Sequence, residues 1–395
     1  MRLYDRETIH LIDWDAKRDG AYAKAFLLPL MRDGVKPYIA NISTQLLALE
    51  IDDLVLPVTV NDEEYDNAYV CSPYTHYITY AQEELYHLGK PWLEKCLAGF
   101  LSLLSGWFKK GRINRVVCVN NWLVSTNLYH TLTQAQVERI TQFLVETFPG
   151  HAILFRSVQA GTGSGLLDLF IHSAKGYKRI ISRQIYIYEP KNDHQLPSKH
   201  RWILKRDQKL LAESEYRVRR GADIPDQEAE RIVEMYNKLY LDKYSFRNPQ
   251  FTPAFIRLAL RERLLEIAVL ERSSSAAEKG QGEGTGSRID AVLGYFVRNG
   301  VMTTPLFGYD TDLPPETALY RLLSAQLVAD SRRSDLILHQ SSGAASFKRC
   351  RGAMPFVEYN VVYDRHLPVG RRIIWTVLQV ISERIGIPMM QKLKL

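Results

Sequence analysis

The order of helices and strands in the second half of the chain limits the possible folds more than any single motif. Three helices come first, at Arg201–Glu215, Asp226–Leu241 and Thr252–Arg261. The second carries Ile232, Met235, Tyr236 and Leu239 on one face, the spacing of an amphipathic helix. Strands follow at Leu264–Glu271, Arg288–Val297 and Val301–Phe307, with the hairpin pair Asn299-Gly300 before the last. Pro314-Pro315 starts a helix at Glu316–Ala329. Leu336–His339 reads as a strand, Ser341-Ser342-Gly343 as a turn, and Ala344–Cys350 as one or two helical turns. Gly352 ends these turns, Phe356–Tyr363 alternates as a strand, and Arg371–Ile385 is a final helix. Helices, then an antiparallel meander, then strands separated by helices describe a mixed sheet rather than a doubly wound one.

The first half is less regular. Tyr38–Ile42 and Leu46–Val60 read as strands, the second interrupted at Asp52-Asp53, and residues 1–60 otherwise look irregular. Thr75–Leu88 and Pro91–Lys109 read as helices, the latter with Pro in its first turn. Arg115–Asn120 is a strand, Gln134–Phe148 an amphipathic helix capped by Thr133, and Ala152–Val158 a strand. A Gly-rich turn, Gln159 to Gly165, leads to a helix at Leu166–Ala174 and a strand at Tyr177–Tyr188. That turn has neither GxxxxGK[ST] nor GxGxxG spacing, so it reads first as a flexible turn and second as a phosphate contact.

At 395 residues the chain exceeds one ordinary core, and two domains are expected, at 1–190 and 199–395. Lys191–Ser198 is read as the linker, and the Ser/Gly/Ala/Glu-rich stretch 273–287 as a flexible, dispensable loop. No apolar run reaches the length of a membrane span, and the N-terminus lacks a signal-peptide core. No membrane partner and a cytoplasmic location are therefore expected. Cys71, Cys96, Cys118 and Cys350 are scattered without metal-ligand spacing, so no metal site is expected. A net charge of +7 permits an RNA or nucleotide partner without requiring one.

The second-half order, with the segment FKRCRGAMPFVEYNVVY, resembles the GNAT (N-acetyltransferase-like) fold in its FemAB-like and BioF2-like branch. The first half, with NNWLVSTNLYH and SRQIYIYEP, resembles a degenerate first copy. The resemblance covers residues 110–370 broadly. It implies an α/β (α+β) protein of two GNAT-like domains, each a mixed central sheet flanked by helices. It also implies acyl transfer, with splayed fourth and fifth strands admitting the donor and the next helix N-terminus taking a pyrophosphate. The sequence departs from that pattern at Gly308 to Glu316, which has no glycine-rich loop and carries Asp310, Asp312 and Glu316. FemAB-like proteins, which take aminoacyl groups from tRNA, show a similar loss.

Acyl transfer to an amine needs a base, an oxyanion donor and a proton source for the leaving group. Asp310, beyond the end of a strand, is the expected base or ammonium anchor, and Tyr309 the proton donor, with a helix cap as the alternative for Asp310. His339 and Glu358 are further catalytic candidates, Glu358 needing a partner such as Lys348 or Arg351 if it points inward. Lys348 and Arg351 are expected to hold an anionic part of a substrate, unless they simply solvate a surface helix. Ser341, Ser342 and Gly343 are the candidate cofactor contacts. Lys243, Tyr244 and Asn248 form a polar loop within possible reach of the acceptor. In the first copy Asn121, Ser125 and Asn127 cluster at a strand end, and Arg183, inside a strand, needs an acidic partner or a ligand carboxylate.

Three readings stay open. The first is an N-acyltransferase moving an acyl group from acyl-CoA, or from an acyl carrier, to a small-molecule amine, with no tightly bound cofactor. The second is a FemAB-like transferase using aminoacyl-tRNA. The third is a non-catalytic GNAT-fold binding protein. The oligomeric state is left open.

Overall fold

Twelve strands and eleven α-helices follow one another in the computed structural model, which describes residues 1–83, 85, 90–272, 288–388 and 390. The loop expected at 273–287 lies outside the described residues. The strands are β1 (Arg2–Tyr4), β2 (Gln45–Ile51), β3 (Leu54–Asn61), β4 (Val116–Val119), β5 (Ala152–Val158) and β6 (Lys178–Tyr188). They continue with β7 (Tyr216–Arg220), β8 (Glu266–Arg272), β9 (Arg288–Arg298), β10 (Val301–Tyr309), β11 (Ile337–His339) and β12 (Met354–Tyr363). The helices are α1 (Gly20–Asp33), α2 (Tyr80–Glu83), α3 (Pro91–Lys110), α4 (Gln134–Thr147), α5 (Leu166–His172) and α6 (Ser198–Ala212). After them come α7 (Ala229–Asn237), α8 (Pro253–Arg261), α9 (Leu319–Arg333), α10 (Ala345–Arg349) and α11 (Val369–Ile381).

Two units divide the chain. The first holds Met1–Gln184, Ser245–Gln250 and Phe356–Leu395, and the second Ile185–Tyr244 and Phe251–Pro355. The expected boundary at 190–199 is thus corrected. The chain leaves the first unit within β6 and returns to it within β12, so its C-terminal segment completes the first copy rather than the second. A pattern of periodicities cannot reveal that exchange, because β12 reads as a strand whichever sheet it joins.

In the first unit the strand order is β1-β2-β3-β4-β5-β12-β6. Here β4 and β5 run parallel, while β1, β2, β3 and β4 pair antiparallel in sequence. One face buries Leu47, Leu49, Val58, Val117, Ile153 and Phe155 with Val137, Ile140 and Leu144 of α4. The other buries Cys118, Leu154 and Val362 with Phe108 of α3 and Ile374, Trp375 and Leu378 of α11. Strands buried on both faces read as continuous apolar runs, and β3, β4 and β5 do so.

The second unit repeats the plan as β7-β8-β9-β10-β11-β6, with β10 and β11 as its parallel pair. Its hairpin from β9 to β10 turns at Asn299 (φ 52°) and Gly300 (φ 75°), the left-handed pair that a type I′ turn requires. Gly308 on β10 lets α7 approach closely, since a Cβ there would meet the Met235 carbonyl at 2.3 Å. Each unit thus has a mixed sheet with one parallel pair of strands, and the second repeats the plan of the first. Among the described residues no helix is long and apolar enough to cross a membrane, and no cluster of His, Cys, Asp or Glu could hold a metal ion.

Candidate functional site

The parallel strands of the first unit separate. They stay paired from Val116–Ala152 to Val119–Phe155; there β4 ends, while β5 runs on to Val158. A bulge at this point shifts the register of β5 against β12. Backbone strain collects here, with Asn120 (φ 55°), Leu123 (φ 60°) and Ser157 (φ 60°) all left-handed. Asn tolerates that region, whereas Leu and Ser do so at a cost of roughly 1–3 kcal/mol each, which the surrounding packing must offset.

The opening is lined by buried polar side chains. Asn121 donates to Thr59 Oγ1 at 2.9 Å and to the Val70 carbonyl at 3.0 Å. Its Oδ1 accepts from Arg156 Nη1 at 2.9 Å. The Asn127 carbonyl oxygen Oδ1 accepts from the Trp122 backbone, and its own backbone N–H donates to Ser157 Oγ. Arg183 donates to Glu358 at 2.9 Å and to the Ser125 carbonyl and Thr126 Oγ1, each at 2.8 Å. Asn360 on β12 donates to the Tyr77 hydroxyl at 2.8 Å. The structure thus brings Asn121, Ser125, Asn127, Arg183 and Glu358 into one cluster within the first unit.

Arg156 is the feature that sequence reasoning missed. It is only 5% exposed, yet among the described residues it has no carboxylate partner. Nη1 reaches Asn121 and, at 3.5 Å, the Val124 carbonyl, while Nε and Nη2 find no acceptor among the described residues. The guanidinium lines a small pocket with Tyr69, Cys71, Ser72, His76, Cys118 and Asn360. A buried, unpaired cation is expensive, and its cost is met when an anion arrives. The signal was present in the sequence: a lone Arg inside the apolar run AILFRSV.

Burial tunes the surrounding groups. Burial, with Arg156 and Arg183 nearby, pushes His76 down to about 3, so its imidazole is neutral at pH 7. Burial holds the Tyr77 phenol well above its ordinary range, so it stays protonated. Burial also pushes the Cys71 thiol to about 12 and that of Cys118 to about 11, which excludes both as thiolate nucleophiles.

The second-unit candidates are placed differently. Asp310 is buried and ion-paired to Lys238 at 2.6 Å, Arg231 at 2.9 Å and Arg288 at 2.5 Å. Despite the opposing effect of desolvation, hydrogen bonds from Lys238 and Arg231 hold its carboxyl far below the carboxylate range. Asp310, the expected base, is thus engaged by three cations of the second unit. Lys348 Nζ donates to the carbonyls of Gln340 at 2.6 Å and Ser342 at 2.8 Å. Arg351 is paired with Asp207 at 2.6 Å and donates to the Phe347 carbonyl. Both cations, expected at an anion site, have protein partners here. The turn Ser341-Ser342-Gly343 offers carbonyls to Lys348, and the five-residue α10 behind it is short, so it is no phosphate cradle.

His339 is buried on β11 and its Nδ1 accepts from the Ser341 backbone at 3.2 Å. Tyr309 ends β10 beside the ring of Tyr320. Lys243 and the half-exposed Tyr244 sit in a π-helical turn, Lys238–Tyr244, of the second unit. Asn248 belongs to the first unit, where its carbonyl accepts from Asn41 at 2.8 Å. The polar loop expected to contain all three is therefore divided between units.

The helices after the two fourth strands differ at their N-termini, since α4 has a side-chain cap and α9 has none. In α4 the cap is a capping box, Thr133 Oγ1 accepting from Gln136 N and Gln136 Oε1 from Thr133 N. The approach to α9 carries Asp310, Asp312 and Glu316. The Gly-rich turn closes on itself through Gln159 and Thr162.

No family model matches the chain, and no curated protein matches it by sequence. Among solved structures it is similar to FemX at 9% identity, over 85% of this chain and 90% of the other, with a TM-score of 0.45. It is similar to the L-PGS from Bacillus licheniformis at 14% identity, over 62% of this chain and 78% of that one, with a TM-score of 0.42. A tandem GNAT protein from the clavulanic acid biosynthesis pathway shows 11% identity over 64% and 76%, with a TM-score of 0.34.

Proposed function

We propose that this chain is a GNAT-like transferase that moves an acyl or aminoacyl group onto an amine, with its reaction site at the opening of β4 and β5 in the first unit. The observation that carries this reading is Arg156, a buried guanidinium with a free hydrogen-bonding edge at a pocket between polar side chains. Its planar fork suits a carboxylate or phosphate oxygen of the substrate. Glu358, on the closing strand, anchors the incoming ammonium and takes its proton. The amine nitrogen then attacks the acyl carbon, and the bond from that carbon to the donor's oxygen or sulfur breaks. Tyr77, kept protonated by burial, gives its proton to the leaving atom and takes the second proton of the attacking nitrogen, which restores the phenol.

The donor reading rests on the helix end of the first unit. Pyrophosphate binds a helix through free N–H groups, and the capping box of α4 already engages two, those of Thr133 and Gln136. That favours a donor held elsewhere, an aminoacyl-tRNA, over acyl-CoA. Native mass spectrometry after exposure to acetyl-CoA and to a mixed aminoacyl-tRNA pool tests this. A mass gain of one tRNA supports the reading. A gain of one CoA overturns the donor assignment, and no gain with either overturns the transferase reading in favour of a non-catalytic binding protein.

A further inference from the structure

Helix α3 is apolar on two opposite faces. Leu101, Leu104 and Phe108 pack into the core of the first unit. Trp92 (67% exposed), Phe100 (46%), Leu103 (78%) and Trp107 (36%) face outward. With Cys96, Gly99 and Gly106 these lie within about 120° of the circumference, at the roughly 100° per residue of an α-helix. Among the described residues the face is uncovered at its glycines, since a Cβ built at Gly99 or Gly106 meets nothing within 4 Å.

The charges around this face have one sign. Lys95 lies beside the stripe and Lys110 ends it, and both are exposed. Lys109 turns aside, its ammonium 4.8 Å from the Tyr74 ring and 5.3 Å from that of Tyr65. The single carboxylate of the helix, Glu94, is on the inner side and accepts from the Lys90 backbone. Tryptophans at both ends of an apolar stripe, with lysines beside it, are the chemistry of a helix lying in the headgroup layer.

We infer that α3 docks the protein onto an anionic lipid bilayer, lying in its surface plane with Trp92, Phe100, Leu103 and Trp107 in the acyl boundary. The inference revises the expectation of no membrane partner, although no described helix is long and apolar enough to span a membrane. The inference is independent of the reaction site proposed above. A second copy of the chain is the competing occupant, but it would have to bring Lys95 and Lys110 against their like.

Vesicle flotation with the whole protein tests the inference, using phosphatidylcholine alone and phosphatidylcholine mixed with phosphatidylglycerol. The protein should float with the mixed vesicles, and added salt should weaken it. Phe100→Ser with Leu103→Ser should lower partitioning by about tenfold or more without lowering the melting temperature, since both side chains are outside the core. Lys95→Glu with Lys110→Glu should reduce binding to mixed vesicles to the level of phosphatidylcholine alone. No flotation, or flotation that both pairs of substitutions leave unchanged, would overturn the inference. So would a dimer in light scattering that Phe100→Ser with Leu103→Ser dissociates.

Discussion

Arg156 Nη1 donates to Asn121 Oδ1 at 2.9 Å across the gap where β4 has ended and β5 continues. An amide can accept that bond, but it cannot neutralise the cation. The first unit therefore keeps a positive charge with no carboxylate partner among the described residues at its pocket, and that charge makes the two roles of Arg156, fold and function, separable by experiment.

Arg156→Gln keeps a donor for Asn121 and removes the charge. Transfer should fall at least about tenfold, the scale of one lost charge-assisted contact. The melting temperature should hold or rise, because an unpaired buried cation opposes folding. A fall in both, in step, would assign Arg156 to the fold alone.

Asp310→Asn should do the reverse. It leaves Lys238, Arg231 and Arg288 without their shared carboxylate, and a loss of about 2 kcal/mol or more is expected, reduced from the fully buried case by the partial exposure of the cations. Specific activity of the folded fraction should stay within about twofold, since a general base would account for about a hundredfold or more. The sign with pH follows from the lowered carboxyl. Its contribution is fully present above the unfolded value of 3.8 and is lost as pH falls below it. Urea unfolding of both proteins across that range measures the difference.

Lys348→Met removes the ammonium that gathers the carbonyls of Gln340, Ser341 and Ser342. Stability should drop by about 1 kcal/mol, as partly buried acceptors lose their shared donor. Ligand binding measured below the melting point should be unchanged. Weakened binding at full stability would restore this helix as an anion site.

His76 gives a second pH signature, of a different group in a different range. Its folded value near 3 lies below the ordinary 6.5, so it is carried neutral in the fold. The stability this represents is fully present above 6.5 and declines as pH falls towards 3. In His76→Gln the slope of unfolding free energy between pH 6.5 and about 4.5 should lessen by one proton's worth. An unchanged slope would mean that His76 is hydrated and titrates normally.

Much of this architecture was legible from local chemistry. Asn299-Gly300 announced its turn, Thr133 its cap, and the apolar run of β5 its burial on both faces. Other elements were masked by their own residues. Helix α1 starts on Gly20 and contains Pro29, which hides its periodicity. Strand β7, YRVRR, looks like a charged surface until Arg219 is seen paired with Glu228 and Glu271. The site was half legible for a related reason. A lone Arg in an apolar strand drew notice at Arg183 but not at Arg156. The second-unit cations looked available because Asp207, their partner at Arg351, is 144 residues away in sequence. Ion pairs of that separation are set by topology, which local pattern does not contain.

The central claim is that the reaction site belongs to the first unit. Its most direct test is transfer of a radiolabelled aminoacyl group from an aminoacyl-tRNA pool to the small-molecule amines of a cell extract. Wild type, Arg156→Gln and Asp310→Asn would be compared at equal amounts of folded protein. The account predicts label in the amine fraction with wild type and Asp310→Asn, and at least about tenfold less with Arg156→Gln. Label lost with Asp310→Asn and kept with Arg156→Gln would contradict it and place the chemistry in the second unit.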